Sequence, residues 1–282
     1  MPDKQTMHPG LKKILADLEK NRGFDFSGAT RGMIERRMQT RMSKTGTDNY
    51  AEYFDYIQSE PDEYDRLIDV LTINVSRFFR DPLCFGYLEK IIIPPLIEKK
   101  LSNNEHEIRI WSAGCASGEE AYTMAIIMTD MLERTKDPVN VSIFATDINE
   151  KSLQTAREGT YNAPALEEIK FGLLGKYFVY HPDKTYTVIP RIRDSVYFSS
   201  YDLLDRKTGV PRDSLFGGFD IVLCRNVLIY YEKEIQEIIF KKLLRSLNPG
   251  GILMLGEAEV PDNSVAPAFS NASRYCKIFM KK

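Results

Sequence analysis

Residues 107–122 read EIRIWSAGCASGEEAY. A run of strand-forming residues (Ile108, Ile110, Trp111) enters a turn that holds Gly114 and Gly118, and a helix follows at once from Glu119. Glycines at such a turn let the backbone approach a ligand closely, and the free N–H groups of the helix start face the same crevice. No Gly-Lys-Ser/Thr follows Gly118, so the turn is not a P-loop, and G-x-x-x-G is a poor match to the dinucleotide fingerprint G-x-G-x-x-G. Glu119 and Glu120 stand where a pyrophosphate would need positive charge, whereas a cationic ligand tolerates them. The plainer alternative is a glycine turn with helix-capping acids.

Outward from this stretch the same alternation continues. VSIFATD (141–147), DSVYFSS (194–200), FDIVLCR (219–225) and GILMLGE (251–257) have strand composition, and EEAYTMAIIMTDMLER, NEKSLQTAREG and EKEIQEIIFKKLLRSL read as the helices between. Strands alternating with helices predict an α/β fold, a doubly wound, mainly parallel sheet of Rossmann-like form, over residues 81–282. NPGG (248–251) closes a helix and opens a strand, and RYCKIFMKK is expected as a final antiparallel edge strand. KYFVYH and TYTVIP break the alternation and predict a small antiparallel β insertion at about 160–200. Residues 1–80 show helical periodicity and no strand pattern, giving an all-α N-terminal domain. LKKILADLEK is one helix. A second opens near Ser27 as a candidate N-cap, carries the stripe Ile34, Met38, Met42, and ends at Gly46. NYAEYFDYIQ and PDEYDRLIDVLTIN predict two more.

The chain of 282 residues is 43% apolar and 28% charged, ordinary globular usage for one large domain or two modest ones. No apolar run reaches the roughly 18 residues of a membrane span, and MPDKQTMHPG lacks the apolar core of a signal peptide, so a cytoplasmic protein without membrane insertion is expected. Cys84, Cys115, Cys224 and Cys276 lie far apart and predict free thiols. His8, His106 and His181 are equally scattered, so no metal site is expected. Residues 1–45 hold ten Lys/Arg against five acids, a surplus of five on a chain of net charge −2, which suggests an acidic partner.

Three further constellations bear on chemistry. VSIFATDIN ends a hydrophobic strand in Asp147, at the carboxyl edge where ligands of such folds bind. Its carboxylate either accepts hydrogen bonds from a ribose diol or caps the next helix. FDIVLCRNVLIYY puts Cys224, Arg225 and Asn226 over the same edge with Tyr230 and Tyr231 close behind; as core and packing residues they would be unremarkable in chemistry. LTINVSRFFRDP interrupts an apolar helical pattern with Asn74, Ser76 and Arg80, polar groups that either face a crevice or lie on a surface helix.

INVSRFFR, WSAGCASGEEAY, FATDIN and CRNVLIYY, in this order behind a basic helical domain, resemble the chemotaxis receptor methyltransferase (CheR) family over residues 11–280. The resemblance implies S-adenosyl-L-methionine as cofactor, with S-adenosyl-L-homocysteine as product. It implies cofactor contacts at Asn74, Ser76, Arg80, Glu119, Asp147, Asp202, Leu203, Cys224 and Arg225, with Asn226 adjacent, and a transfer centre at Arg80 and Tyr230. Ser76 replaces the family's frequent Thr, and Asp202 its frequent Asn, which keeps an acceptor and loses a donor. The family's basic helix lies against acidic receptor helices, and Arg37, Arg41 and Lys44, flanked by Arg31 and Arg36, match it. Members that dock on a receptor tail peptide carry a glycine-rich loop in the β insertion. The shorter, glycine-free KYFVYHPDKTYTVIP points to the type without tail-peptide docking.

The implied reaction is esterification of receptor glutamates, a protein-glutamate O-methyltransferase activity serving adaptation in chemotaxis. A catechol-type enzyme needs a base or metal to ionise a hydroxyl, and an amide-methylating one an Asn/Asp-Pro-Pro-Tyr-like turn; CRNVLIYY has no proline. Few aromatics interleave the basic helix, so no nucleic-acid partner is expected. A cofactor-binding sensor remains the non-enzymatic alternative, and nothing demands more than a monomer.

Overall fold

The computed structural model describes residues 7–282 apart from 25, 27, 73–75, 136, 206–208, 212–213 and 215–217. The chain divides into two compact units, residues 1–74 with 230–235 and residues 75–229 with 236–282. The last two residues of CRNVLIYY and the four that follow them group with the helical unit.

The helical unit holds α1 (Pro9–Arg22), α2 (Arg31–Thr45), α3 (Tyr50–Ser59) and α4 (Asp62–Leu71). Their apolar stripes meet in one core of Leu11, Ile14, Leu18, Ile34, Met38, Tyr53, Ile57 and Leu67. Asn49 caps α3, its side chain accepting the N–H groups of Ala51 and Glu52. Gly46 ends α2 in the left-handed conformation (φ 71°), as the sequence predicts. The start of α2 differs from expectation: Thr30 occupies the cap position, and Ser27 lies outside the described residues. Residues 230–235 join this unit through backbone bonds, Thr30 N–H to the Tyr230 carbonyl at 2.8 Å and Glu232 N–H to the Gly28 carbonyl at 2.9 Å.

A charged group lies inside this core. Glu63 is fully buried and accepts hydrogen bonds from the Arg41 guanidinium and, at 2.8 Å, from the Tyr53 hydroxyl. Arg41, bonded to that carboxylate, is held above the usual guanidinium range, and burial pushes the Tyr53 phenol up. A buried charge is tolerable only with such partners.

The second unit begins with α5 (Pro82–Tyr87), which runs through a wide turn at Leu88–Ile92 into α6 (Ile93–Ser102). Then come β1 (Glu107–Ala113), α7 (Glu119–Thr135), β2 (Asn140–Asp147), α8 (Glu150–Glu158), β3 (Thr160–Asn162), α9 (Phe171–Tyr177), β4 (Phe178–Tyr180), β5 (Thr185–Val188), α10 (Pro190–Arg193) and β6 (Val196–Ser200). β7 (Phe219–Cys224), α11 (Lys233–Ser246, of this unit from residue 236), β8 (Leu247–Leu255), β9 (Phe269–Asn271) and β10 (Ile278–Lys281) complete it. The main sheet has the order β6-β2-β1-β7-β8-β10-β9, parallel from β6 to β8 and antiparallel beyond. β10 pairs with β8 on one side and β9 on the other, so β9 and not the C-terminal strand is the edge. The insertion is a three-stranded antiparallel sheet, β3-β5-β4; the sequence shows two of its strands and misses β3, which is too short to display a period.

Chain order passes from β1 outward through β2 to β6, then returns to β7 on the other side of β1. That is the strand reversal at which doubly wound sheets open a ligand crevice. Cys84 of α5 and Cys276 are joined as a disulfide with their Cα atoms 5.5 Å apart, which corrects the expectation of four free thiols; Cys115 and Cys224 are free and buried. The bonded pair stands 192 positions apart in the chain, a proximity that linear spacing does not reveal.

Glu63→Ala leaves the Arg41 guanidinium without its carboxylate in a site that is only slightly open to water. The helical unit should lose about 3 kcal/mol of stability, read as a lowered urea midpoint at unchanged slope. An unchanged midpoint would show that the pair contributes nothing.

Candidate active site

Because five strands run parallel, their carboxyl ends share one edge. Ala113 lies beside Thr146, Ser112 beside Leu223, and Asp147 beside Ser200. After β1 the chain turns through Gly114 (φ 78°), Ala116 (φ 47°) and Gly118 (φ 92°) before α7 begins. A Cβ on Gly114 would lie 2.5 Å from the Val227 side chain, and one on Gly118 would lie 2.8 Å from Ala156 Cβ. Both the conformation and the space require glycine there.

Asp147 is not the cap of α8. The cap of α8 is Asn149, whose side chain accepts the Ser152 N–H at 3.1 Å. Asp147 instead accepts the Ala116 N–H at 2.8 Å and the Asn149 N–H at 2.9 Å, tying the end of β2 to the glycine turn. A carboxylate has about four lone-pair sites, so each oxygen retains capacity for a ligand. Desolvation pushes its carboxyl above the usual range despite these bonds.

Glu119 is buried at the start of α7. Ser117 Oγ donates to its Oε1 at 3.0 Å and the Ser76 side chain also bonds to it, while Oε2 is buried with no hydrogen-bond partner among the described residues. Burial raises its pKa. A buried acceptor without a donor is costly, and it marks where a bound polar or cationic group would complete the site. Glu120, also raised by burial, accepts from Ser112 Oγ at 2.7 Å and from Arg225 at 3.3 Å.

Arg225 organises the next segment. Its guanidinium donates to the Arg80 carbonyl at 2.9 Å, pairs with Asp81, and lies over the Phe85 ring at 4.9 Å. Residues 76–81 are therefore not a helix: Phe79 (φ 54°) and Asp81 (φ 65°) are left-handed, and the Phe79 N–H donates to Thr123 Oγ1 of α7 at 3.0 Å. Ser76 thus reaches Glu119, and the Arg80 backbone is held by Arg225. Asn74 lies outside the described residues. Asp202 follows β6 and folds onto its own turn, its side chain accepting the Leu204 N–H at 2.8 Å, with Leu203 buried beside it. Cys224 ends β7 fully buried, its thiol pushed well up by burial, and Asn226 is held left-handed at φ 59°.

The basic residues of α2 divide. Arg37 is buried, donates to the Val70 and Leu71 carbonyls at the end of α4, and stands 5.3 Å from the Tyr230 ring within the helical unit. Arg41 is committed to Glu63. Both are expected from the sequence on the receptor-facing helix surface and are instead internal supports. Arg36 and Lys44 are exposed, and Arg31 pairs with Glu35 at 2.7 Å. The sequence reading missed Glu259, a buried acid whose carboxylate gathers the N–H groups of Gly256 and of residues 226–229. A lone acid after a strand carries no periodic signal; only its burial marks it.

A glycine turn after β1, an acid at the end of β2 and an unmet buried acceptor suit S-adenosylmethionine, a polar nucleoside bearing a positive sulfonium. Glu119, Asp147 and the glycine turn are the residues that would hold it. Fold and site together define an S-adenosylmethionine-dependent methyltransferase. The family model described as CheR methyltransferase, SAM binding domain matches residues 74–275, and CheR methyltransferase, all-alpha domain matches residues 9–72. The chain is 32% identical over 251 residues to the chemotaxis protein methyltransferase of Borreliella burgdorferi, covering 88% of this chain and 87% of that one. It is 33% identical over 242 residues to the chemotaxis protein methyltransferase of Listeria monocytogenes, covering 86% of each. Against chemotaxis protein methyltransferase 1 of Pseudomonas aeruginosa the identity is 32% over 251 residues, 87% of this chain and 88% of the other. The chain belongs to the CheR methyltransferase family.

Asp147→Ala removes charged-acceptor bonds of about 1.5–3 kcal/mol each, so cofactor affinity should fall roughly 10- to 100-fold by calorimetry; an unchanged Kd would remove Asp147 from the site. The raised carboxyls of Glu119 and Asp147 set a pH dependence as well. Without ligand, their raised pKa values stabilise the fold at low pH, and that contribution is lost as pH rises through the folded pKa. Cofactor binding, which favours the ionised pair, should weaken as pH falls, with onset above the ordinary carboxylate range. Affinity that stays flat from neutral pH down into the ordinary carboxylate range would contradict this.

Proposed function

We propose that this chain transfers the methyl group of S-adenosylmethionine to glutamate side chains of chemotaxis receptors, as a protein-glutamate O-methyltransferase acting in the cytoplasm. The observation that carries the reading is a sheet edge rich in acceptors, with an arginine loop beside it and, among the described residues, no histidine of the α/β unit at that edge. His106 precedes β1 at its amino end and His181 follows β4, so neither stands at the carboxyl edge, and His8 caps α1 in the helical unit.

A glutamate side chain has a pKa of about 4.3 and is already ionised at neutral pH, so this acceptor needs no base. The bound cofactor supplies a methyl group activated by its sulfonium. The chain's task is alignment, since well-oriented reactants avoid most of the entropic barrier. Arg80, whose backbone is anchored by Arg225, would orient the acceptor carboxylate without burying its attacking oxygen. Tyr230 would act in the same step. Exposed Arg36 and Lys44, with Arg31 nearby, would attract the acidic methylation helices of a receptor. The glycine-free turn between β4 and β5 favours receptors recognised without a tail peptide.

Incubation with tritiated cofactor and receptor-containing membranes should give alkali-labile label, the mark of a carboxyl ester; alkali-stable label would mean nitrogen or ether methylation. Arg80→Ala should lower kcat by about 100-fold or more while cofactor Kd changes only a few-fold. Near-normal turnover in that variant would remove Arg80 from the centre.

A further inference from the structure

We infer that Glu259 is a positioning residue for methyl transfer, its carboxylate setting the loop 226–229 on which both the cofactor turn and the Arg80 segment lean. After β8 the chain turns so that the Glu259 N–H bonds the Gly256 carbonyl at 3.0 Å, and the side chain folds back, almost wholly buried. Oε2 accepts the N–H groups of Gly256 at 2.7 Å and Asn226 at 3.0 Å. Oε1 accepts those of Val227 at 2.9 Å and Leu228 at 2.8 Å, with Ile229 more distant at 3.4 Å. One anion thus satisfies a run of consecutive backbone donors that leads into and opens the 3-10 turn Leu228–Tyr230. Buried donors of this kind must find an acceptor.

The loop so fixed touches the site at two places. Asn226 is left-handed at φ 59°, a conformation that a non-glycine residue keeps only when its surroundings hold it. Gly256 shows how closely they do: a Cβ there would lie 2.8 Å from both Asn226 N and Glu259 Oε2. Val227 then presses on Gly114 of the cofactor turn, where a Cβ would come within 2.5 Å of its side chain. Directly before Asn226 stands Arg225, whose guanidinium holds the Arg80 carbonyl. Displacing the loop moves the surface that shapes the cofactor turn and the anchor of the arginine at the same time.

A carboxylate is required because every atom facing the loop must accept. In Glu259→Gln either orientation of the amide turns an NH2 donor toward at least two backbone N–H groups, Asn226 and Gly256 in one case, Val227 and Leu228 in the other. The size of the side chain is kept and the loop is unseated.

The kinetic part of this inference rests on the proposed role of Arg80; the binding part does not. Folded Glu259→Gln, verified by circular dichroism and counted by cofactor stoichiometry, should bind S-adenosylmethionine about tenfold more weakly by calorimetry and turn over about 30-fold more slowly. Its KM for receptor membranes should stay within about threefold; a general loss of folded protein would lower the binding stoichiometry and leave the cofactor Kd unchanged. A folded variant whose cofactor Kd and kcat both stay within about threefold of wild type overturns the inference. Should Glu259→Gln not fold, Val227→Ala tests the same link from the loop side: slower turnover and weaker cofactor binding support it, and unchanged values overturn it. If wild type labels no receptor, the proposed function fails while the calorimetric comparison still decides the role of Glu259.

Discussion

The site depends on negative charge held out of water. Glu119, Glu120 and Asp147 stand where β1 and β2 end and α7 begins, burial raises all three carboxyls, and the described residues bring a single guanidinium, Arg225, to one of them. Removing a carboxylate from water costs several kcal/mol unless a donor or cation compensates. Glu120 has that compensation and Glu119 Oε2 does not. A sheet edge built this way repels a nucleotide triphosphate and favours a polar ligand with a positive centre. The family assignment and the electrostatics agree on that point independently.

The same economy governs the chemistry. An acceptor that is ionised at neutral pH needs orientation rather than proton removal, and the molecule devotes its charged groups to holding backbone. Arg225 grips the 80–81 turn, Asp147 grips the glycine turn, and Glu259 grips the loop after β7. Each places a segment of irregular chain, and three of these segments contain left-handed non-glycine residues, Phe79 with Asp81, Ala116 and Asn226. Strain of this kind persists where surrounding contacts over-determine it.

Much of this is legible in the sequence. Strand and helix alternation gives the sheet, because a buried parallel strand must be apolar throughout, and the positions of Gly114, Gly118 and Asp147 follow from where strands end. What stays hidden depends on partners distant in the chain. Arithmetic on α2 places Arg37 and Arg41 beside Lys44, but not the α4 carbonyls and Glu63 that draw two of the three inward. The residues around Phe79 have helical composition and are bent by bonds to α7 and to Arg225. Cys84 meets Cys276 only because β10 returns to the sheet beside β8. Glu259 is one acid among many until its burial is known. Short-range pattern therefore finds the edge of the sheet, and long-range pairing decides what that edge presents.

A crystal of the whole chain soaked with S-adenosylhomocysteine examines the central claim most directly. Difference density should fill the crevice beside the glycine turn, with polar atoms within hydrogen-bond distance of Asp147 and close to Glu119. Density elsewhere on the molecule, with that crevice empty at saturating ligand, would contradict the assignment of the sheet edge as the cofactor site.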